Sequence, residues 1–128
     1  FCWFNAMNSP IKVSLDFLEA VTGWRITPFQ WYNKVGRRII HMQRVALLLG
    51  GPDAYWSPKR DDDIPPRFYE PLPTGPKAGQ STERAKVEAM KAEYYQKIGW
   101  GKRGIPRKAE LRRLGLEDLS DALKRIKK

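Results

Sequence analysis

The chain has one cysteine, Cys2, and one histidine, His41, in 128 residues. A lone cysteine excludes an intrachain disulfide and points to a cytoplasmic setting rather than a secreted one. One Cys and one His cannot build a zinc site by themselves. A Cys–His nucleophile pair is possible on composition, but nothing local supports it. Long apolar runs are also missing. The longest block, Val45 to Leu49, falls far short of the ~20 residues that cross a bilayer, so no membrane partner is expected. No secretory leader pattern opens the chain. Phosphate loops and dinucleotide fingerprints are absent, as are internal repeats and strand-like alternation.

What the chain does have is positive charge. Its net charge is +10, which suits nucleic acid, an anionic surface or an acidic protein. The plainer reading is a domain whose neighbours would balance that charge, because the bases are spread along the chain. Apolar residues at 41% and charged residues at 30% make a globular balance and not a disordered one.

The pattern is helical. "VSLDFLEAVTGW" (residues 13 to 24) reads as a short helix capped by Ser14, with Leu15, Leu18 and Val21 on one face beside Phe17, stopped by Thr22-Gly23. Thr27, Pro28 and Gln30 form a capping box with proline at the first helical position. That helix is expected to run to about Leu49, with Phe29, Tyr32, Val35, Ile39, Met42 and Leu49 spaced roughly as one apolar face, Val45 and Leu48 widening it, and Lys34, Arg37, Arg38 and Arg44 on the polar side. Gly36 inside it implies a close backbone approach. A further helix is capped by Ser81 or Thr82, lined by Val87, Met90, Tyr94 and Ile98, and closed by Gly99. Pro106 opens another, ended by Gly115, and Leu116, Leu119, Leu123 and Ile126 form a last amphipathic set.

Between the helices, residues 52 to 81 hold seven of the ten prolines, which bars helix and central strand over most of that length. Tyr55, Trp56, Ile64, Phe68, Tyr69 and Leu72 give it too many apolar anchors for a free linker. The expected fold is therefore all-α, a single multihelical domain over 1–128, with a proline-rich ordered strap at 52–81.

Candidate sites are few. "RDDDIPPRF" (residues 60 to 68) places three carboxylates between arginines. Metal binding by Asp61, Asp62 and Asp63 is the sharp reading. Turn formation and salt bridging is the favoured one, because adjacent carboxylates in extended chain point apart. His41 reads as a partly buried helix side chain and not a base. A lone thiol such as Cys2 is usually an inert apolar residue. The basic "LRRLG" and "KRIKK" stretches read as solvated faces able to touch phosphate.

Taken in order, "FCWF", "AVTGW" (20–24), "GRRI" (36–39), "DDDIPPRF" (61–68), "EPLPTGPKAGQ" (70–80), "YYQKIGW" (94–100), "GIP" (104–106) and "LRRLGLEDL" (111–119) cover nearly the whole chain. This series resembles the C-terminal domain of the tungsten-containing aldehyde:ferredoxin oxidoreductase family. The chain departs from the family pattern at Arg37, where the family has glutamate, at "VALLLGG" and at "DAYWSP". The resemblance implies a longer parent enzyme that oxidises aldehydes to carboxylic acids. That parent would hold tungsten or molybdenum between two pterins, next to a 4Fe-4S cluster, and pass electrons to ferredoxin. It also implies that Cys2 is the fourth cluster cysteine, that the chain packs on N-terminal domains of the parent, and that a homodimer is possible. By the same implication the chain opens at a cut edge and is not catalytic alone. A benzoyl-CoA reductase catalytic subunit of the same family is the alternative within the class. A freestanding basic helical module binding nucleic acid is the alternative outside it, and it leaves the order of motifs unexplained.

Overall fold

The computed structural model describes residues 9–51 and 56–124. The chain divides into two compact units, 1–40 and 41–128. The described residues form helices and turns without a β-strand, as the sequence pattern implies.

In the first unit, α1 spans Ile11–Thr22. It begins earlier than expected. Pro10 occupies the cap position and its carbonyl accepts from the Val13 N–H at 2.9 Å, so Ser14 lies inside the helix and caps nothing. Proline cannot continue a regular helix N-terminally and holds the residue before it extended, which makes it a stronger boundary than serine. Leu15 is buried. Gly23 ends α1 in the left-handed region at φ 74°, donating to the Glu19 carbonyl at 2.7 Å.

The capping box is present. The Gln30 N–H donates to Thr27 Oγ1 at 3.2 Å, and the Thr27 N–H donates to Gln30 Oε1 at 2.9 Å. It starts α2, Pro28–Gln30. A π-helical segment follows at Trp31–Val35, then α3 at Gly36–Leu49, whose residues fall on both sides of the division between the units. The Gly36 N–H reaches the Trp31 carbonyl, five residues back. A Cβ on Gly36 would lie 3.2 Å from that oxygen. The close backbone approach expected at Gly36 is therefore made by the bulge of its own helix, not by another element.

Of the apolar stripe expected from Phe29 to Leu49, Val45 and Leu48 are buried but most of the rest is not. Phe29 is 74% exposed and Tyr32 60%, and Ile39, Met42 and Leu49 are also exposed. The buried residues of α3 are His41, Arg44, Val45 and Leu48. A π-turn inserts an extra residue, so a 3.6-residue count carried across it no longer follows one face.

In the second unit the proline-rich strap is built of short pieces. These are α4 (Pro58–Asp61) and a 3₁₀ turn (Pro66–Tyr69). Its loop is closed by Leu72 N–H to the Gln80 carbonyl at 2.9 Å and Gly79 N–H to the Leu72 carbonyl at 2.8 Å. Helix α5, Arg84–Ile98, starts after Glu83, so Ser81 and Thr82 are not its caps. Tyr95 and Ile98 are buried, while Met90 and Tyr94 are exposed. Gly99 ends it at φ 88°. Trp100 and Pro106 pair as an isolated antiparallel bridge. Helix α6, Lys108–Arg113, begins two residues past Pro106, with Arg107 at the cap position. Helix α7 spans Asp118–Leu123. Leu111, Leu114 and Leu116 form one core cluster, with Leu119 and Leu123 packed against it. Tyr95, Ile98 and Trp100 form another.

Candidate functional site

The most constrained chemistry among the described residues centres on Arg44. Its position on α3, between His41 and Leu48, turns it inward to 5% exposure. Arg44 Nη1 donates to Asp62 Oδ1 at 2.7 Å, and Nη2 donates to Asp62 Oδ2. This is the two-pronged fork that a planar guanidinium makes with a carboxylate. Arg44 Nε donates to the Gly104 carbonyl at 2.8 Å. Trp56 Nε1 donates to Asp62 Oδ1 at 2.8 Å, and the Tyr95 hydroxyl donates to Oδ2. The Arg44 guanidinium also lies 4.5 Å from the centre of the Trp100 ring. One ion pair thus joins α3, the strap, α5 and the 101–105 turn.

Gly104 is required by that arrangement. Its φ is 68°, and a Cβ there would run into the Arg44 guanidinium and the Tyr95 phenol. Burial pushes the Asp62 carboxyl up. The hydrogen bonds from Arg44, Tyr95 and Trp56 outweigh this and hold it below the ordinary carboxylate range. Tyr95 is pushed up, first by burial and then by its bond to Asp62.

The other two aspartates turn elsewhere. Asp63 accepts from the Tyr69 hydroxyl and from Arg84 Nη1 at 2.8 Å, and these bonds lower its pKa to about 2. Arg84 stacks 3.9 Å over the Tyr69 ring. Asp61 pairs with Arg60 and accepts from the Ser57 N–H at 2.6 Å. The three carboxylates therefore face different partners, as the salt-bridging reading of "RDDDIPPRF" requires.

His41 is fully buried and meets the Trp100 ring edge-on at 6.0 Å, so it is more deeply packed than the sequence suggested. The Trp100 indole Nε1 is buried without a hydrogen-bond partner among the described residues. Among those residues no group of three or more His, Cys, Asp or Glu converges as a metal centre would need. The described residues fit no metal or cluster on their own. Cys2, the expected cluster ligand, lies outside the described residues.

Periodicity missed the Arg44 site because it assigned Arg44 to the polar side of its helix. A signal was present. His41, Val45 and Leu48 share a helical face with Arg44, and an arginine inside such a face calls for a carboxylate partner.

The described geometry is that of a positioning framework, a helical domain whose polar groups tie backbone segments together. Residues 1–116 match the family model described as "Aldehyde ferredoxin oxidoreductase, domains 2 & 3". The chain belongs to the aldehyde ferredoxin oxidoreductase family. It is 51% identical over 114 residues to a Pyrococcus furiosus protein named aliphatic sulfonate oxidoreductase, WOR-like subunit, a match covering 89% of this chain and 18% of that protein. It is 36% identical over 118 residues to the tungsten-containing aldehyde ferredoxin oxidoreductase of the same organism, covering 91% of this chain and 18% of that protein. The chain thus spans less than a fifth of the length of either relative.

Proposed function

We propose that this chain is the C-terminal helical part of a tungsten- or molybdenum-pterin, iron–sulfur oxidoreductase. The parent enzyme oxidises aldehydes to carboxylic acids with ferredoxin as electron acceptor. The observation that carries this reading is the match of residues 1–116 to domains 2 and 3 of the family. In the overall reaction an aldehyde and one water give a carboxylic acid, two protons and two electrons, and the electrons leave on ferredoxin. The metal–pterin group supplies that redox chemistry when bound.

This chain's own part is support and one ligand. Cys2 supplies a thiolate to a cluster that takes four, so the other three come from elsewhere in the parent. The Arg44–Asp62 pair fixes the strap against α3 and α5. Exposed apolar side chains support packing on further domains. Val13, Phe17 and Val21, four residues apart on α1, are 42%, 59% and 83% exposed, and such stripes mark surfaces built for a partner. No described helix is long and apolar enough to cross a membrane; a cytoplasmic setting is part of the proposed reading. A homodimer is part of the same reading.

A second substrate reading has a specific support. The relative named for aliphatic sulfonates is 51% identical, against 36% for the one named for aldehydes.

The test is turnover by the protein purified without oxygen from its natural source. Simple aldehydes and an aliphatic sulfonate are offered in parallel, with oxidised ferredoxin and a viologen dye as acceptors. Dye and ferredoxin reduction with aldehydes supports the first reading. Reduction only with the sulfonate moves the substrate to the second, and reduction with neither removes both.

A further inference from the structure

Acidic groups among the described residues are largely paired within the chain. Asp16, Glu19, Asp61, Asp62, Asp63, Glu70, Glu83, Glu88, Glu93, Glu110 and Asp121 each sit in an ion pair. The surplus of bases is not spread evenly. Lys102, Arg103, Arg107 and Arg112 lie within one short stretch, all exposed, and none has an ion-pair partner among the described residues. Lys108 in the same stretch is exposed too and faces Asp121.

The backbone that carries these cations is held firmly. The Gly104 N–H donates to the Gly101 carbonyl at 2.8 Å, closing a turn with Lys102 and Arg103 at its two central positions. The Gly101 N–H donates to the Ile105 carbonyl at 2.8 Å, and the Arg107 N–H to the Gly99 carbonyl at 3.0 Å. From below, Arg44 Nε donates to the Gly104 carbonyl. The buried arginine thus anchors a turn that presents two exposed cations, with Arg107 and Arg112 following on the way into and along α6. A preorganised cluster of unneutralised charge steers an oppositely charged macromolecule more strongly than the same charge dispersed.

We propose that the 102–112 turn and helix is the docking surface for an acidic electron-carrier protein. This rests on the reading of the chain as part of a ferredoxin-linked oxidoreductase. Charge complementarity selects the partner. The surface is cationic, exposed and without aromatic platforms in that stretch, which single-stranded nucleic acid would use for stacking. Arg112 and Arg113 are not equivalent in it, because Arg113 is engaged by Glu110 at 2.7 Å.

The test uses the full-length holoenzyme. The triple variant Lys102→Glu, Arg103→Glu, Arg112→Glu is compared with a charge-matched control, Lys34→Glu, Lys59→Glu, Lys77→Glu. A charge-preserving Lys102→Arg, Arg103→Lys variant is a second comparison. At low ionic strength the first triple is expected to lower kcat/KM for an acidic ferredoxin by ~10-fold or more and to flatten its salt dependence. Viologen-linked turnover is expected to stay unchanged in all variants, and the control and charge-preserving variants are expected to keep wild-type ferredoxin kinetics. Equal losses in both triples would reduce the effect to net charge and overturn the proposal. So would unchanged ferredoxin kinetics in the first triple. Salt-steep DNA or RNA binding lost in that triple, with ferredoxin kinetics intact, would assign the surface to nucleic acid instead. If the holoenzyme turns over neither aldehyde nor sulfonate, the functional reading fails separately. Direct titration of the wild-type and triple-variant holoenzymes with the ferredoxin then still decides the docking surface.

Discussion

Arg44 on α3 and Asp62 in the strap make a buried two-pronged ion pair, with side chains 5% and 11% exposed. A third donor on the same arginine holds the Gly104 carbonyl. The pair joins segments 18 residues apart directly and 60 residues apart through the carbonyl. Long-range cohesion in this unit therefore depends on two charged side chains as well as on apolar packing.

Truncating one partner leaves the other buried and uncompensated. Arg44→Ala and Asp62→Ala are each expected to cost ~3–5 kcal/mol, well above an exposed pair such as Lys12–Asp16 at ~0.5 kcal/mol. Denaturant unfolding followed by tryptophan fluorescence measures both, and a double-mutant cycle should show strong coupling between them. A loss under ~1 kcal/mol for either single variant would remove the clamp from its role.

Gly104 and Gly79 offer a controlled comparison. Both have positive φ, 68° and 80°, but a Cβ at Gly79 meets nothing within 4 Å. Gly79→Ala should cost only the ~1–2 kcal/mol of left-handed backbone strain. Gly104→Ala should cost clearly more, because Arg44 and Tyr95 cannot yield without releasing Asp62. The difference in unfolding midpoints at equal slope is the measurement.

Sequence reasoning located the Thr27–Pro28 start and the glycine-marked ends, but missed the starts of α1 and α5 and got the buried faces only in part. Thr27, Pro28, Gly23 and Gly99 mark helix ends by backbone chemistry that neighbours do not alter. Burial is a tertiary property. The π-segment at Trp31–Val35 shifts the register of α3, and no composition rule announces such a bulge. Met90 and Tyr94 share an apolar period with Ile98 yet stay exposed, because what α5 buries depends on the turn at 101–105. The strap was legible from its prolines and aromatics, but the identity of Asp62 as its anchor was not. Three successive aspartates look alike until a partner is known.

Acid should loosen the strap. Asp62 and Asp63 both have lowered pKa values in the folded chain, Asp63 to about 2. A depressed carboxylate adds stability above its unfolded pKa, near ~4, and loses it as pH falls through the folded value. Stability should therefore decline between pH ~4 and ~2, with Asp63→Asn flattening part of that decline. Unfolding free energies across this range check it, and a slope identical in Asp63→Asn and wild type contradicts it.

Cys2→Ser in the parent enzyme should lower iron content below the ~4 atoms of a complete four-iron cluster and bleach its visible absorption. It should leave the helical circular dichroism intact, because the described helices are held by their own apolar clusters and the Arg44–Asp62 pair. Full iron occupancy in Cys2→Ser would remove the residue from the ligand set.

The most direct measurement is intact mass together with iron, tungsten and molybdenum content, on the protein purified without oxygen from its natural source. A chain several times heavier than 14.8 kDa, with ~4 irons and one tungsten or molybdenum per polypeptide, is the expected result. A metal-free polypeptide would contradict the assignment to a working metal–pterin oxidoreductase and leave the helical framework as a scaffold for some other task.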